Sequence, residues 1–308
     1  MALNNPAFNN PAFQDPRAVQ TYPGGSKAAG LTPPAAQTQY ASAQHAGTDA
    51  AAQAHLEGMY TAPAAGAIET DRMTVEDTVW KTVGLFAVLV VGAVAGWVWT
   101  MAPVAATGEP TLMPWIIGMI GGFVLSLVVI FTSRKTIRPA LIFGYAAFEG
   151  LFVGGISAFF EMLYEGIVLQ ATLATLSVVG VTLALFASGK VRASKRATKV
   201  FMIAMLGYLV FSLVNLGLMI FNAPIAGGAF GLLSEKGPLG IPWGVIIGVF
   251  VVIMAAYSLV LDFDMIQRGV RNGAPRKFGW LGGFGIMVTV VWLYVEILRI
   301  LAILRGSN

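Results

Sequence analysis

The chain has no cysteine, only two histidines and only 11% charged residues among its 308 positions. Without cysteine there is no disulfide framework, no thiolate metal site and no thiol nucleophile. Both histidines, His45 and His55, fall in the polar N-terminal region, which leaves the rest of the chain without an imidazole for proton transfer or metal binding. Set against 56% hydrophobic residues and a mean hydropathy of +0.74, the shortage of charge excludes an ordinary soluble domain. Too few polar groups remain to cover a globular surface. Gly-x-Ser-x-Gly, His-Glu-x-x-His, Gly-x-Gly-Asp and P-loop patterns are also missing, so neither an intramembrane enzyme nor an ATP-driven pump is expected. A net charge of +4 would suit nucleic acid, but the basic residues cluster in short loops between apolar runs. Membrane topology accounts for them, and no nucleic-acid partner is expected.

What is present falls into two parts. Residues 1–71 are rich in Ala, Gln, Pro, Gly, Ser and Asn, have no sustained apolar period, and read as a disordered cytosolic tail. No apolar core follows a basic start, which argues against a signal peptide. NNPAF occurs twice in tandem, from Asn4 and from Asn9, each copy a turn presenting one Phe; it reads as a low-complexity duplication or as a docking peptide for a membrane-protein partner. Residues 72–308 carry apolar runs near 20 residues long, enough to cross a hydrocarbon core of ~30 Å as helices. They fall at Val79–Met101, Leu112–Thr132, Pro139–Met162, Ile167–Ser188, Val200–Phe221, Ile241–Phe263 and Trp280–Leu304. The fold class is an all-α membrane protein, a compact bundle of seven transmembrane helices. Thr74 and Asp77 have capping-box spacing at its entrance.

Loop charge orients the spans. Arg134, Lys135 and Arg138 follow the second, a group from Lys190 to Lys199 follows the fourth, and Arg268, Arg271, Arg276 and Lys277 follow the sixth. Alternate loops hold Glu109, Glu161, Glu165 and Glu235. Lys and Arg are retained on the cytosolic side, which puts the N-terminus inside and the C-terminus outside. Gly118 with Gly122, Gly150 with Gly154, and Gly244 with Gly248 have the spacing that lets helix backbones approach in lipid. Ser212 and Asn215 in the fifth span, and Thr172, Thr175 and Thr182 in the fourth, are candidates for interhelical hydrogen bonds.

Carboxylates inside these runs are the candidate functional groups, because each costs about 2.5–3.5 kcal/mol near the bilayer centre on insertion scales. Glu149 is deep in the third span, with Tyr145 one turn earlier on the same face. It is either a neutral carboxyl bonded to a neighbour or a step on an ion path. Asp262 and Asp264 are ~200° apart around the sixth helix, so both are not expected to face the interior. Asp262, one turn after Ser258, is assigned the inward face, while Asp264 is spaced for a rim ion pair with Arg268. Glu296 is spaced for a pair with Arg299 or for a meeting with Asp262. Two acids meeting in a dry place would share a proton and titrate as one unit. Hard oxygen ligands without His or Cys suit Ca²⁺ rather than zinc or copper, although no metal site is assigned.

LDFDMI at Leu261 to Ile266 resembles the sixth-helix signature of the transmembrane Bax inhibitor motif family. WLYVEILRILAILR at Trp292 to Arg305 resembles that family's last helix. The resemblance covers about Val79 to Arg305 and departs from the pattern at Leu261, Phe263, Asp264 and Glu296, where the family has Tyr, Thr, Gln and Asp. It implies a pH-sensitive Ca²⁺ leak in the plasma membrane, with Ca²⁺ as permeant ion and no cofactor. It further implies that Asp262 and Glu296 are the proton-sensing acids and that an arginine at the cytosolic mouth, Arg134 or Arg138, is a latch; Glu149 and Asp264 are candidates for the ion path. Glu296 is 16 residues into its span, ~24 Å at the helical rise, while Asp262 is near the end of its own. A direct pair then requires part of Trp280 to Thr289 to lie outside the membrane, or tilted or broken helices; otherwise the acids form separate gates. The rival class is a non-conducting regulator that binds membrane proteases or other membrane proteins. The oligomeric state is not set by these features.

Overall fold

The computed structural model describes residues 71–221, 230–237 and 240–306. Seven helices in it are long and apolar enough to span a membrane: α1 Val75–Met101, α2 Met113–Ser133, α3 Pro139–Leu163, α4 Ile167–Ala187, α5 Lys195–Ile220, α6 Trp243–Arg271 and α7 Phe278–Gly306. A one-turn helix, Val104–Thr107, follows α1, and a 3-10 turn, Gly231–Ser234, precedes α6. No strand occurs among the described residues. The tail, with its NNPAF tandem and both histidines, lies outside them.

Local chemistry sets the helix ends. Thr74 accepts from the Asp77 amide at 3.0 Å, half of a capping box; the Asp77 carboxylate turns instead to Lys81 and Arg276. Pro139 opens α3 at a position where its missing N–H costs nothing. Glu161 reaches past the end of α3 to the Gly166 and Val168 amides, at 2.6 and 2.9 Å, and satisfies donors at the start of α4. Ser194 accepts from the Ala197 amide and starts α5, five residues before the expected Val200. α6 runs eight residues past the expected end at Phe263. The apolar run stops there, but the stop signals come later: Gly273 at φ 67°, its amide bonded to Val270, and then Pro275.

The apolar faces converge on α7. More than half of its most apolar stretch is buried, and half of that in α6; α7 packs against α6, α1, α4 and α3. α1 and α3 make the tightest crossing. A Cβ on Gly92 would meet the Ala147 carbonyl oxygen at 2.7 Å, one on Gly96 the Leu151 carbonyl oxygen at 2.6 Å, and one on Gly154 the Ala93 Cα at 2.8 Å. Gly118 and Gly122 seat Phe148, Glu149 and Phe152 of α3. Gly244 and Gly248 take Ile303 and Ile300 of α7. All three expected glycine pairs therefore lie in close contacts, together with Gly92 and Gly96, which the sequence reading passed over.

α5 stands apart. Among its residues only Phe201 and Asn215 are buried, and hydroxyls and amides make much of its attachment. Thr198 bonds Tyr257 of α6 at 2.9 Å, and Asn215 brackets the 3-10 turn through the Phe230 carbonyl and Leu232 amide at 3.1 and 2.8 Å. Thr175 corrects the expectation of a bond across helices, since its hydroxyl returns to the Ala171 carbonyl of its own helix at 2.7 Å.

Candidate functional site

α6 and α7 run antiparallel, and the acids sit along the seam between them. Asp262 has no exposed surface, and the Thr289 hydroxyl of α7 donates to it at 2.7 Å. Ser258, one turn away on α6, is buried beside it in sequence. Asp264 pairs with Arg268 at 2.5 Å as the four-residue spacing predicts. It is nevertheless buried, which corrects the expectation that only one of these acids would be enclosed. The reason is that α6 is flanked by α7, α4 and α1 as well as by α5, and so has no broad solvent-facing side at this level.

Glu296 occupies a different level. It is 3% exposed, pairs with Arg299 on its own helix, and accepts from the Tyr208 hydroxyl of α5 at 3.1 Å. Arg299 closes the triangle by donating to the same hydroxyl at 2.8 Å. Its Nε is buried without a hydrogen-bond partner among the described residues. Residues 280–289 are helical throughout, and Thr289 lies seven residues before Glu296, ~10 Å along the axis. Asp262 and Glu296 therefore share a seam but engage different partners on different turns. Nothing unwinds α7 to bring them together.

The remaining candidates are spread out. Glu149 is half-buried on α3, one turn after the buried Tyr145. Its Oε2 lies where a Cβ on Gly122 of α2 would stand 2.8 Å away. Arg134 caps α2, with its guanidinium 5.8 Å from the centre of the Phe131 ring. Arg138 precedes α3 and lines a small recess with Ile142 and Leu281. No group of three or more His, Cys, Asp or Glu among the described residues is placed to hold a metal ion.

A second polar cluster lies at the basic end of the bundle. Asp77 joins Lys81 of its own helix and, at 2.8 Å, Arg276 of the α6–α7 loop. The Asp77 carboxylate, hydrogen-bonded to the guanidinium, holds the Arg276 pKa above its ordinary value. Backbone bonds from Met73 to Ala274 at 2.7 Å and from Arg276 to Asp71 at 2.9 Å complete this clasp. Tyr208 and Thr289, the direct partners of the two seam acids, were not singled out in the sequence. Each is one polar residue in an apolar span, with no local spacing that ties it to an acid on another helix.

Seven spanning helices, with carboxylates enclosed between the last two, define an all-α polytopic membrane protein. The chain belongs to the Bax inhibitor 1 like family, whose model matches residues 5–306. The match begins well before Val79, where the sequence resemblance starts, and so takes in the tail. Comparisons with curated proteins and with solved structures returned no match.

Proposed function

We propose that the protein is a pH-sensitive cation leak in the cytoplasmic membrane, passing Ca²⁺ or a similar hard cation down its gradient. In this reading the N-terminus is inside and the C-terminus outside, because the basic loops share one end of the bundle. The observation that carries the reading is Asp262, an acid with no exposed surface between two membrane-spanning helices. A structural role alone would be filled more cheaply by an apolar residue.

The geometry favours two acidic steps in series over one shared proton. Near the basic end, Asp262 holds α6 to α7 through Thr289. Further from it, Glu296 holds α7 to α5 through Tyr208 and Arg299. Protonation of either acid removes its charge and weakens its charge-assisted bonds. Ionisation restores those bonds or offers oxygen to a passing cation. Arg134 and Arg138 lie at the basic mouth as candidate latches. Glu149, another candidate for the ion path, faces Gly122 of α2, and Asp264 is tied to Arg268.

Calcium flux into proteoliposomes, measured across external pH, tests this. The wild type is expected to give a pH-dependent leak, with Asp262→Asn and Glu296→Gln each altering its amount or its pH midpoint. An equal, pH-independent leak from all three proteins would exclude acid gating.

A further inference from the structure

We propose that a cleft between α1 and α4, floored by α3 and α7, is a binding site for one acyl chain of a bilayer phospholipid. The cleft has a volume of about 480 Å³, in the range of ligand sites, which are ~300–1,000 Å³. On α1 it follows residues 86–98, a length of ~18 Å at the helical rise. That length matches one extended acyl chain of a bilayer phospholipid.

Its chemistry agrees with its shape. Val90, Val94 and Leu176 at the mouth are each more than half exposed, and at membrane depth that exposure faces hydrocarbon. On the floor, Ser157 and Tyr294 are buried and bond each other at 2.6 Å, and the Thr175 hydroxyl is held by its own helix. These hydroxyls are already matched, and no charged residue lines the cleft. No cationic residue lines the cleft to pair with the carboxylate of a free fatty acid, so the occupant is a chain whose headgroup stays at the interface.

The helices also agree on depth. In α3 and α4 the lining residues fall in the half remote from the basic loops, in α1 all but Phe86 do, and in α7 they fall at the middle. The chain would enter from the leaflet opposite those loops. This site goes beyond the leak and does not depend on whether the acids conduct.

The test uses the full chain in phosphatidylethanolamine–phosphatidylglycerol liposomes. These contain a small fraction of phosphatidylglycerol with a mid-chain diazirine, and labelled peptides are mapped after irradiation. Labelling of the cleft segments of α1, α4 and α7 is expected to exceed that of the outer face of α5 several-fold. Thr172→Phe and Val290→Phe, which fill the cleft from opposite walls, should each bring that ratio to one while α5 labelling stays constant. Val94→Ala, which leaves the cleft open, should keep the excess. Even labelling of all lipid-facing helices, an excess that survives both filling variants, or cleft labelling by a diazirine fatty acid where the phospholipid gives none would each overturn the assignment.

Discussion

Thr289 and Asp262 join the two most buried helices of the bundle by a hydroxyl-to-carboxylate hydrogen bond of 2.7 Å, and the acid has no exposed surface. Thr289→Val keeps the side-chain shape and removes the donor. The expected loss is about 1 kcal/mol, between the ~0.6 kcal/mol average for interhelical bonds in membranes and the 1.5–3 kcal/mol of bonds to charged groups. A lowered thermal midpoint in detergent would report it, and Thr289→Ser should restore most of the loss.

The triangle of Tyr208, Glu296 and Arg299 calls for a double-mutant cycle. Arg299→Gln leaves Glu296 enclosed with its charge partner gone. Breaking a buried pair in this way costs about 3–5 kcal/mol, and the lower end is expected because the Arg299 side chain keeps 18% exposure. The combined variant Glu296→Gln, Arg299→Gln should recover part of that loss in thermal unfolding. Strict additivity of the two changes would show that the pair is not coupled.

Close helix contacts should make glycine substitutions diverge sharply. A Cβ at Gly154 would stand 2.8 Å from the Ala93 Cα, whereas at Gly84 and Gly180 it would meet nothing within 4 Å. Gly154→Ala should force α1 off α3 and reduce the yield of monodisperse protein. Gly84→Ala and Gly180→Ala should be neutral or stabilising by up to ~1 kcal/mol, the helix-propensity difference. Size-exclusion profiles and thermal midpoints would separate the two groups.

The clasp at the basic end can be locked, because the chain offers no competing thiol. Arg72 and Pro275 face each other as an isolated antiparallel bridge, a pairing that places Cα atoms about 4.5–5.5 Å apart, within disulfide range. The double variant Arg72→Cys, Pro275→Cys should form an intramolecular cross-link under mild oxidant, seen as a mobility shift reversed by reductant. In flux assays the oxidised form would report whether freeing α1 from the α6–α7 loop is needed for conduction.

The sequence carried what depends on spacing along one helix. Seven apolar runs, the Asp264–Arg268 and Glu296–Arg299 pairs, and the glycine faces were all legible from periods of three, four and twenty. Contacts set by the docking of separate helices were not. Thr289 and Tyr208 carry no local sign that they face an acid, and Asp264 looked like a rim residue because crowding around α6 is a property of the assembled bundle. The end of α6 was misjudged for a different reason: hydropathy marks where apolarity fades, while the cap at Gly273 marks where hydrogen bonding stops.

The way α5 is fastened has a mechanical consequence. Its outward side chains are already bathed in lipid, and its inward hold combines one small apolar contact, around Phe201, with the polar bonds at Thr198, Tyr208 and Asn215. Peeling it outward would trade little greasy surface, since acyl chains wet it as well as neighbouring helices do. Much of its resistance to displacement therefore falls on a few electrostatic pins, and the central one, Tyr208, is fixed to Glu296 and Arg299. A change of charge at that single carboxylate would therefore be felt first at the contact between α5 and α7, where Arg299 is left as the other hold on Tyr208.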